Sequence, residues 1–459
     1  MFNNLSEDKS KLFKNITIVL SVIIGLVAIL IFSGKFPGIE STTTKNTNKP
    51  TINIWGSLPD KVFRDALDAY QSEGNKPISI NYLSVNKDVL NRRLVEAASQ
   101  GTGPDIIIAD YSDLLNVSSL LYVIPYSYMT ELDFKKLFVD ATHILATPYG
   151  ASFYPLLLDP SILIFNKKIL SENGFTNPPF FWTELPKYQS KLTTYDSNNK
   201  PNQSAFGIGA NNTVNRNNVL YTQILQLGAV PSKVIWGGVE NGTINISYTT
   251  DIGVGDSSYE DSTSDLHKIL KFQNAFSNPQ KTSFTWSETE KSDFDKFISG
   301  KLAIYFGKAS DINYIKNSNP NLDIGLYFMP QMENGKYQSV AGDMIGVGVS
   351  KNTKDFPYAV EIAQLISGKS FSSKVSFSSG MAGARKDVLY GSDGSERAEV
   401  IGRSAIIMKL IYNNNPNAVN AAIYNLYDNI LSNRKTIQES IEVFSNDWNI
   451  IYNKNQQQY

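Results

Sequence analysis

From Thr51 onward the chain switches repeatedly between two hydrophobic periods. Thr51-Ile52-Asn53-Ile54-Trp55 alternates apolar and polar positions with β-branched residues, the pattern of a half-buried strand. Ser57-Leu58-Pro59-Asp60 then reads as a helix start, with Ser57 as the cap and an early proline. Val62, Phe63, Ala66, Leu67 and Tyr70 supply that helix with one apolar face. Pro77 to Tyr82 alternates again as a second strand, and Leu90, Leu94, Ala97 and Ala98 mark a second amphipathic helix. The turn Gly101-Thr102-Gly103-Pro104 ends that helix, with Asp105 read as the residue that fixes it. Ile106 to Ala109 is an unbroken apolar run, the mark of a strand buried on both faces, and it stops at Asp110, Tyr111 and Ser112. Strand, helix, strand, helix, strand predicts a parallel sheet with right-handed crossovers. The loops after Trp55, Leu83 and Ala109 then share one edge, where open parallel sheets bind ligands.

The two ends of the chain carry different patterns. Ile16 to Phe32 is uncharged and almost wholly apolar, long enough with Asn15 and Ser33 to cross a hydrocarbon core. Lys9, Lys11 and Lys14 precede it, which predicts a cytoplasmic segment 1–14, a single-pass membrane anchor 15–33 and an extracytoplasmic remainder. A cleaved signal peptide is the competing reading, although no small-x-small site follows the run. The polar, Thr/Asn-rich segment 34–50 reads as an extracellular linker. Helices are predicted by period over Val400–Tyr412, Ala418–Leu431 and Ile437–Ile451. The acidic stretch Thr249–Asp265 holds Asp251, Asp256, Glu260, Asp261 and Asp265 without EF-hand spacing, and reads as a solvated loop in preference to a calcium site.

Composition narrows the chemistry. The length of 459 residues allows roughly two to four domains, and 42% hydrophobic residues can fill their cores. With 42 basic and 43 acidic residues there is no positive excess to hold nucleic acid. The absence of cysteine removes disulfides, thiol catalysis, Cys-based metal sites and lipid attachment through an N-terminal cysteine. His143 and His267 stand far apart, neither with a metal-ligand neighbour at helical spacing, so no metal or cofactor is expected.

A set of short motifs then becomes specific by its order. It comprises Trp55-Gly56, Ala97-Ala98-Ser99-Gln100-Gly101, Gly103-Pro104-Asp105-Ile106 and Pro148-Tyr149-Gly150. Ser161-Ile162-Leu163-Ile164-Phe165-Asn166-Lys167, Trp182-Thr183-Glu184-Leu185 and Phe297-Ile298-Ser299-Gly300-Lys301-Leu302-Ala303-Ile304 follow, then Asp343–Ser350 and Ala359–Ile366. In this order they resemble the family 1 extracellular solute-binding proteins of ABC importers, the maltose-binding-protein-like group. Phe165 stands where tyrosine is usual, and Phe180-Phe181 replaces the usual lysine-threonine. The resemblance implies an α/β, two-lobed periplasmic-binding-protein-like fold, with two parallel or mixed sheets flanked by helices and joined by a hinge. It places residues 51–153 and 311–368 in lobe one and 154–310 and 369–459 in lobe two, with crossings near Phe153, Lys308 and Gly368. It further implies a monomeric binding protein, not an enzyme. Its partners would be a small polar solute, most simply a carbohydrate, and the permease subunits of an importer.

The candidate ligand groups come from strand ends and from the resemblance. Trp55, Ser57, Asp110, Tyr111 and Ser112 lie where lobe-one strands stop. The resemblance adds Phe153, Tyr154, Asn211, Asn212, Thr213, Lys308, Ser310 and Asp343 with its neighbours Gly342 and Met344. Aromatic faces suit sugar rings, while carboxylates and amides satisfy hydroxyls that are costly to bury unpaired. Bland readings stand beside these: Trp55 as a core residue, Asp110 as a cap, Asn417 and Asn420 as capping or cleft residues, and Arg385 in a surface ion pair. Two other functions stand as alternatives: an anchored sensor or adhesion module that keeps the two-lobe fold without an importer, and a glycoside hydrolase with two carboxylates across a cleft, for which no paired acids form a recognisable local motif.

Overall fold

The computed structural model describes residues 51–74, 78–240, 243–252, 264–390, 394–413 and 415–453. The predicted anchor 15–33 and linker 34–50 lie outside these, as do Asp256, Glu260 and Asp261 of the acidic stretch. No helix among the described residues is long and apolar enough to cross a membrane.

The opening β-α-β-α-β unit forms as its periodicity demands. Strands β1 (Ile52–Gly56), β2 (Ile80–Ser84) and β3 (Ile106–Asp110) are parallel, with β1 in the middle. Helix α1 (Asp60–Ser72) buries Phe63, whose ring stacks on Tyr82 at 3.9 Å. Ser57 does not cap α1: Pro59 occupies the cap position, and the Ser57 N–H continues the sheet by donating to the Ile108 carbonyl at 2.9 Å. Helix α2 (Lys87–Ser99) starts at Asn86, whose side chain accepts the Asp88 N–H, and ends before Gly101, where φ is +66° and a side chain would be strained. Asp105 acts on the sheet and not on the turn, since its Oδ2 accepts the Asn53 N–H of β1 at 2.9 Å. Helix α3 (Tyr111–Asn116) follows β3 directly, so Asp110 is both the last strand residue and the first cap.

Two long strands carry the chain beyond this unit. Strand β4 (Tyr154–Asn166) is buried along all 13 residues, which explains its nearly continuous apolar sequence. β5 (Pro201–Phe206), β6 (Leu302–Lys308) and β7 (Ile324–Tyr327) lie toward the far half of β4. β6 and β7 both pair antiparallel with that half, for instance at Phe165, and β5 lies parallel to β6. Strand β8 (Val340–Val349) runs antiparallel to β4, placing Asp343 opposite Asp159, and then pairs with β3. β4 and β8 therefore join the β1–β3 region to the β5–β7 region in one eleven-stranded sheet.

This pairing corrects two of the lobe boundaries expected from the resemblance. The chain does not leave the β5–β7 region at Lys308, because β7 pairs with the same half of β4 as β6 does; the return is made by β8. The helix Lys369–Ser379 packs on α1 and so belongs with β1–β3: Phe371 lies 5.3 Å from Phe63, and Lys374 pairs with Glu73 at 3.3 Å. The helix predicted over 400–412 ends at Ile406, and β9 (Met408–Leu410) joins the edge of β8 at Val340–Gly342. Gly342 permits that approach, since a Cβ there would lie 2.3 Å from the Met408 sulfur. Helices α4 (Arg216–Gln226) and α5 (Pro416–Leu431) complete the frame around the site.

Candidate functional site

A cleft of about 1160 Å³ opens where the C-terminal end of β3, the start of α4 and the start of α5 converge over β8. One wall is Lys87 and Asn91 of α2, Asp110 of β3, and Ser112 and Asp113 of α3. The floor is Lys308, Gly342, Asp343 and Met344. The opposite wall is the segment 211–218 leading into α4, with Asn417, Asn420 and Tyr424 of α5.

The first wall is charged. Asp110 makes no side-chain cap bond, and its Oδ2 lies 3.3 Å from Lys87 Nζ. Burial pushes the Asp110 carboxyl up and the Lys87 charge opposes it, leaving it above its ordinary range. Asp113 is pushed up to about 6 by burial and then by the Asp110 charge, while its Oδ1 accepts from Asn91 Nδ2 at 2.9 Å.

The floor is organised by one lysine between two register-paired acids. Lys308 Nζ lies 2.9 Å from Asp343 Oδ2 and 3.5 Å from Asp159 Oδ2. The Asp343 charge holds the ammonium well above its ordinary value against the cost of burial, with Asp159 adding to it. Burial alone would raise Asp343, but Lys308 outweighs it and holds the carboxyl below its usual range. Asp159 is almost fully buried, and desolvation pushes it up to about 6 in spite of Lys308 and the Ser310 hydrogen bonds. Ser310 serves this acid, donating from N at 2.9 Å and from Oγ at 2.7 Å. Asp311 anchors the same turn, its Oδ2 accepting from the Lys308 N–H at 2.9 Å and from Asn215 Nδ2 at 2.9 Å.

The second wall is built from amides. Asn212 is held from below: Trp286 Nε1 donates to its Oδ1 at 2.8 Å, and its Nδ2 donates to the Ser287 carbonyl at 3.0 Å. Asn211 Nδ2 donates to the Tyr424 carbonyl at 3.2 Å, and Asn217 Nδ2 to Asn420 Oδ1 at 2.7 Å, which ties the starts of α4 and α5 together. Asp293, 2% exposed, braces the segment by accepting the Val214 N–H at 2.8 Å.

Ten of the fifteen candidate residues come together in the cleft: Asp110, Tyr111, Ser112, Asn211, Asn212, Thr213, Lys308, Gly342, Asp343 and Met344. Tyr111 does so only at the edge of a ring that is 3% exposed and packs near Phe153 and Tyr412. Ser112 Oγ accepts the Asn413 N–H at 2.9 Å, fastening α3 to the segment before α5. The other five stand elsewhere. Trp55 sits in register between Leu83 and Ile107 and packs on the core, and Ser57 extends the sheet. Phe153 is buried against Gly346, where a Cβ would meet its ring at 2.6 Å. Tyr154 is buried with its hydroxyl accepting from Gln364, and Ser310 is spent on Asp159. Asn417 and Asn420 both line the cleft, and Arg385 pairs with Asp387 at 2.9 Å. Sequence reasoning missed Lys87, Asn91, Asp113, Arg216 and Tyr424. The asparagine density of 211–218 was the visible signal for the second wall. On the facing wall the strand end signalled Asp110 and Ser112, but Lys87 and Asn91 left no signal, because α2 residues on a polar face look like any solvated face.

Comparison with known proteins agrees with this architecture. No family model matches the chain. Proteins of Brucella abortus (strain 2308) and Brucella suis biovar 1 (strain 1330), both named "Putative binding protein", are 22% identical to it over 355 residues, covering 76% of this chain and 79% of each relative. The crystal structure of a cyclo/maltodextrin-binding protein complexed with maltotetraose superposes with a TM-score of 0.66 at 17% identity, over 89% of this chain and 98% of that one. The chain thus has the mixed α/β fold of that binding protein. The proteins it resembles are named for binding and not for catalysis.

Proposed function

We propose that the chain is an extracytoplasmic solute-binding protein, taking a polar solute, most simply a sugar or oligosaccharide, into the cleft and closing over it. The observation that carries this reading is the cleft itself: charged and amide walls from different parts of the chain face each other across a floor on β8, a strand shared by both halves of the sheet. Such walls can satisfy many hydroxyls at once, and a small rotation about the shared strands would shut them together. The solute would then be handed to the permease subunits of an ABC importer, with residues 15–33 tethering the protein beside them and setting its local concentration.

Thermal-shift screening across sugars, amino acids, polyamines and inorganic anions tests the solute class. A sugar is the expected hit, and a sole hit among amino acids or inorganic anions refutes the assignment. Asp110→Ala is expected to weaken binding of that hit by about 1–3 kcal/mol through loss of a buried hydrogen bond, measured by calorimetry. Unchanged affinity would remove Asp110 from the site. Fractionation of cells addresses the tether: full-length protein in the membrane fraction is expected, and a free product lacking the segment up to Ser33 contradicts it.

A further inference from the structure

The two walls of the cleft differ in charge as well as in origin. Every carboxylate that lines it, Asp88, Asp110, Asp113 and Asp343, belongs to the α2–β3–α3 side or to the floor. The opposite wall contributes no carboxylate and one cation, Arg216. The lysines are already neutralised, Lys87 by Asp110 at 3.3 Å and Lys308 by Asp343 at 2.9 Å. Among the described residues Arg216 donates only to neutral acceptors. Its Nε donates to Asn217 Oδ1 at 3.3 Å and its Nη1 to the Asn211 carbonyl and side chain, while its carbon Cζ lies 5.8 Å from the centre of the Tyr427 ring. The nearby acid Glu288 accepts the Asn211 N–H at 3.0 Å and acts on Arg216 through its charge, with no direct ion pair between them among the described residues. Half of the guanidinium fork, the Nη2 amino group, donates to no acceptor among the described residues. Burial lowers the Arg216 pKa from its ordinary value although the Glu288 charge opposes this, and the guanidinium keeps its charge.

We infer that the solute is an acidic sugar whose carboxylate docks on Arg216 while its hydroxyls face the Asp110–Asp113 wall. A guanidinium can only donate, and its strongest partner is a planar carboxylate. Carboxylates on the opposite wall are acceptors only, which suits hydroxyl donors and repels a second anion. The cleft is therefore polarised and would hold such a molecule in one orientation. This inference rests on the proposed reading of the cleft as a sugar site and narrows it.

The test uses the full chain and matched pairs of ligands: glucose with glucuronate, galactose with galacturonate, and the corresponding disaccharides, with glucose 6-phosphate as a phosphate control. The acid of a pair is expected to bind at least about tenfold more tightly than its neutral partner, as one desolvated charge-assisted bond requires. That advantage should shrink as salt rises from ~0.05 M to ~0.5 M. Arg216→Gln should abolish the preference with circular dichroism unchanged, and Arg216→Lys should retain part of it, since lysine keeps the charge without the fork. Equal or tighter binding of the neutral sugar overturns the inference while leaving the sugar-binding reading intact. A preference that survives in Arg216→Gln also overturns it, as does binding of the phosphate without the uronate. Binding of none of these sugars, with a hit among amino acids or polyamines, overturns the sugar-binding reading itself.

Discussion

Lys308→Met is expected to destabilise the protein by about 3–5 kcal/mol, the usual cost of leaving a buried charge without its partner. Lys308 lies between Asp159 and Asp343, which face each other on neighbouring strands β4 and β8. Without the ammonium, Asp159, 4% exposed, keeps only the Ser310 hydrogen bonds and confronts a second carboxylate. Methionine preserves the length of the side chain, so the loss is electrostatic and not a cavity. Urea unfolding followed by circular dichroism measures it. Asp159→Asn added to Lys308→Met should recover a large part of the loss, because it removes the charge that was left stranded. A near-neutral Lys308→Met would show that the lysine is dispensable to the crossing strands. The same substitution bears on function, since these strands and Lys308 form the floor of the cleft.

A second large effect is expected from pH at Asp293. This carboxyl is buried beneath the amide wall and pushed up to about 7, chiefly by desolvation, against hydrogen bonds from the Val214 and Phe294 N–H groups. In the unfolded chain it would titrate near 3.9, as an ordinary aspartate does. Between the two values the folded state holds a proton that the unfolded state has released. Stability due to this group is therefore complete below about pH 4 and falls as pH rises to about 7, by at most about 4 kcal/mol. Asp293→Asn keeps an acceptor for both N–H groups and removes the titration. Relative to the natural chain, the variant should gain stability from about pH 4 to about pH 7 and level off above that, measured by urea unfolding at each pH. A difference that stays flat across this range would place the Asp293 carboxyl in its ordinary range. Asp159, raised to about 6, adds a smaller fall of the same sign over about pH 4 to 6.

Much of the frame was legible in the order of residues. The apolar run Ile106–Ala109 is buried, and the alternation around Ile52 and Ile54 places β1 beside it. Asp110 stands at a strand end and at a cleft, as its position after a buried run implied. The aromatic candidates fared differently. Trp55 and Phe153 are large side chains next to strand ends; Phe153 is buried in the core, and Trp55, half-buried, packs against it. Burial is the default for such residues, and only a cavity beside them would have made them ligand platforms. Ser310 looked like a cleft hydroxyl but is committed to an acid 151 positions away in the chain.

What the sequence determined by itself was local: which residues alternate, where helices begin and stop, and which strands are buried on both faces. These follow from the side-chain periods of strand and helix and from the conformational limits of glycine and proline. Only the tertiary structure decided that β8 and not the Lys308 turn returns the chain to β3. It alone set Asp159, Lys308 and Asp343 together, and it alone faced the acids of α2 and α3 with Arg216 and the asparagines before α4. The reason is physical. Periodicity reports that a face is covered but not by what, and the strand pairing that settles it joins segments far apart in the chain.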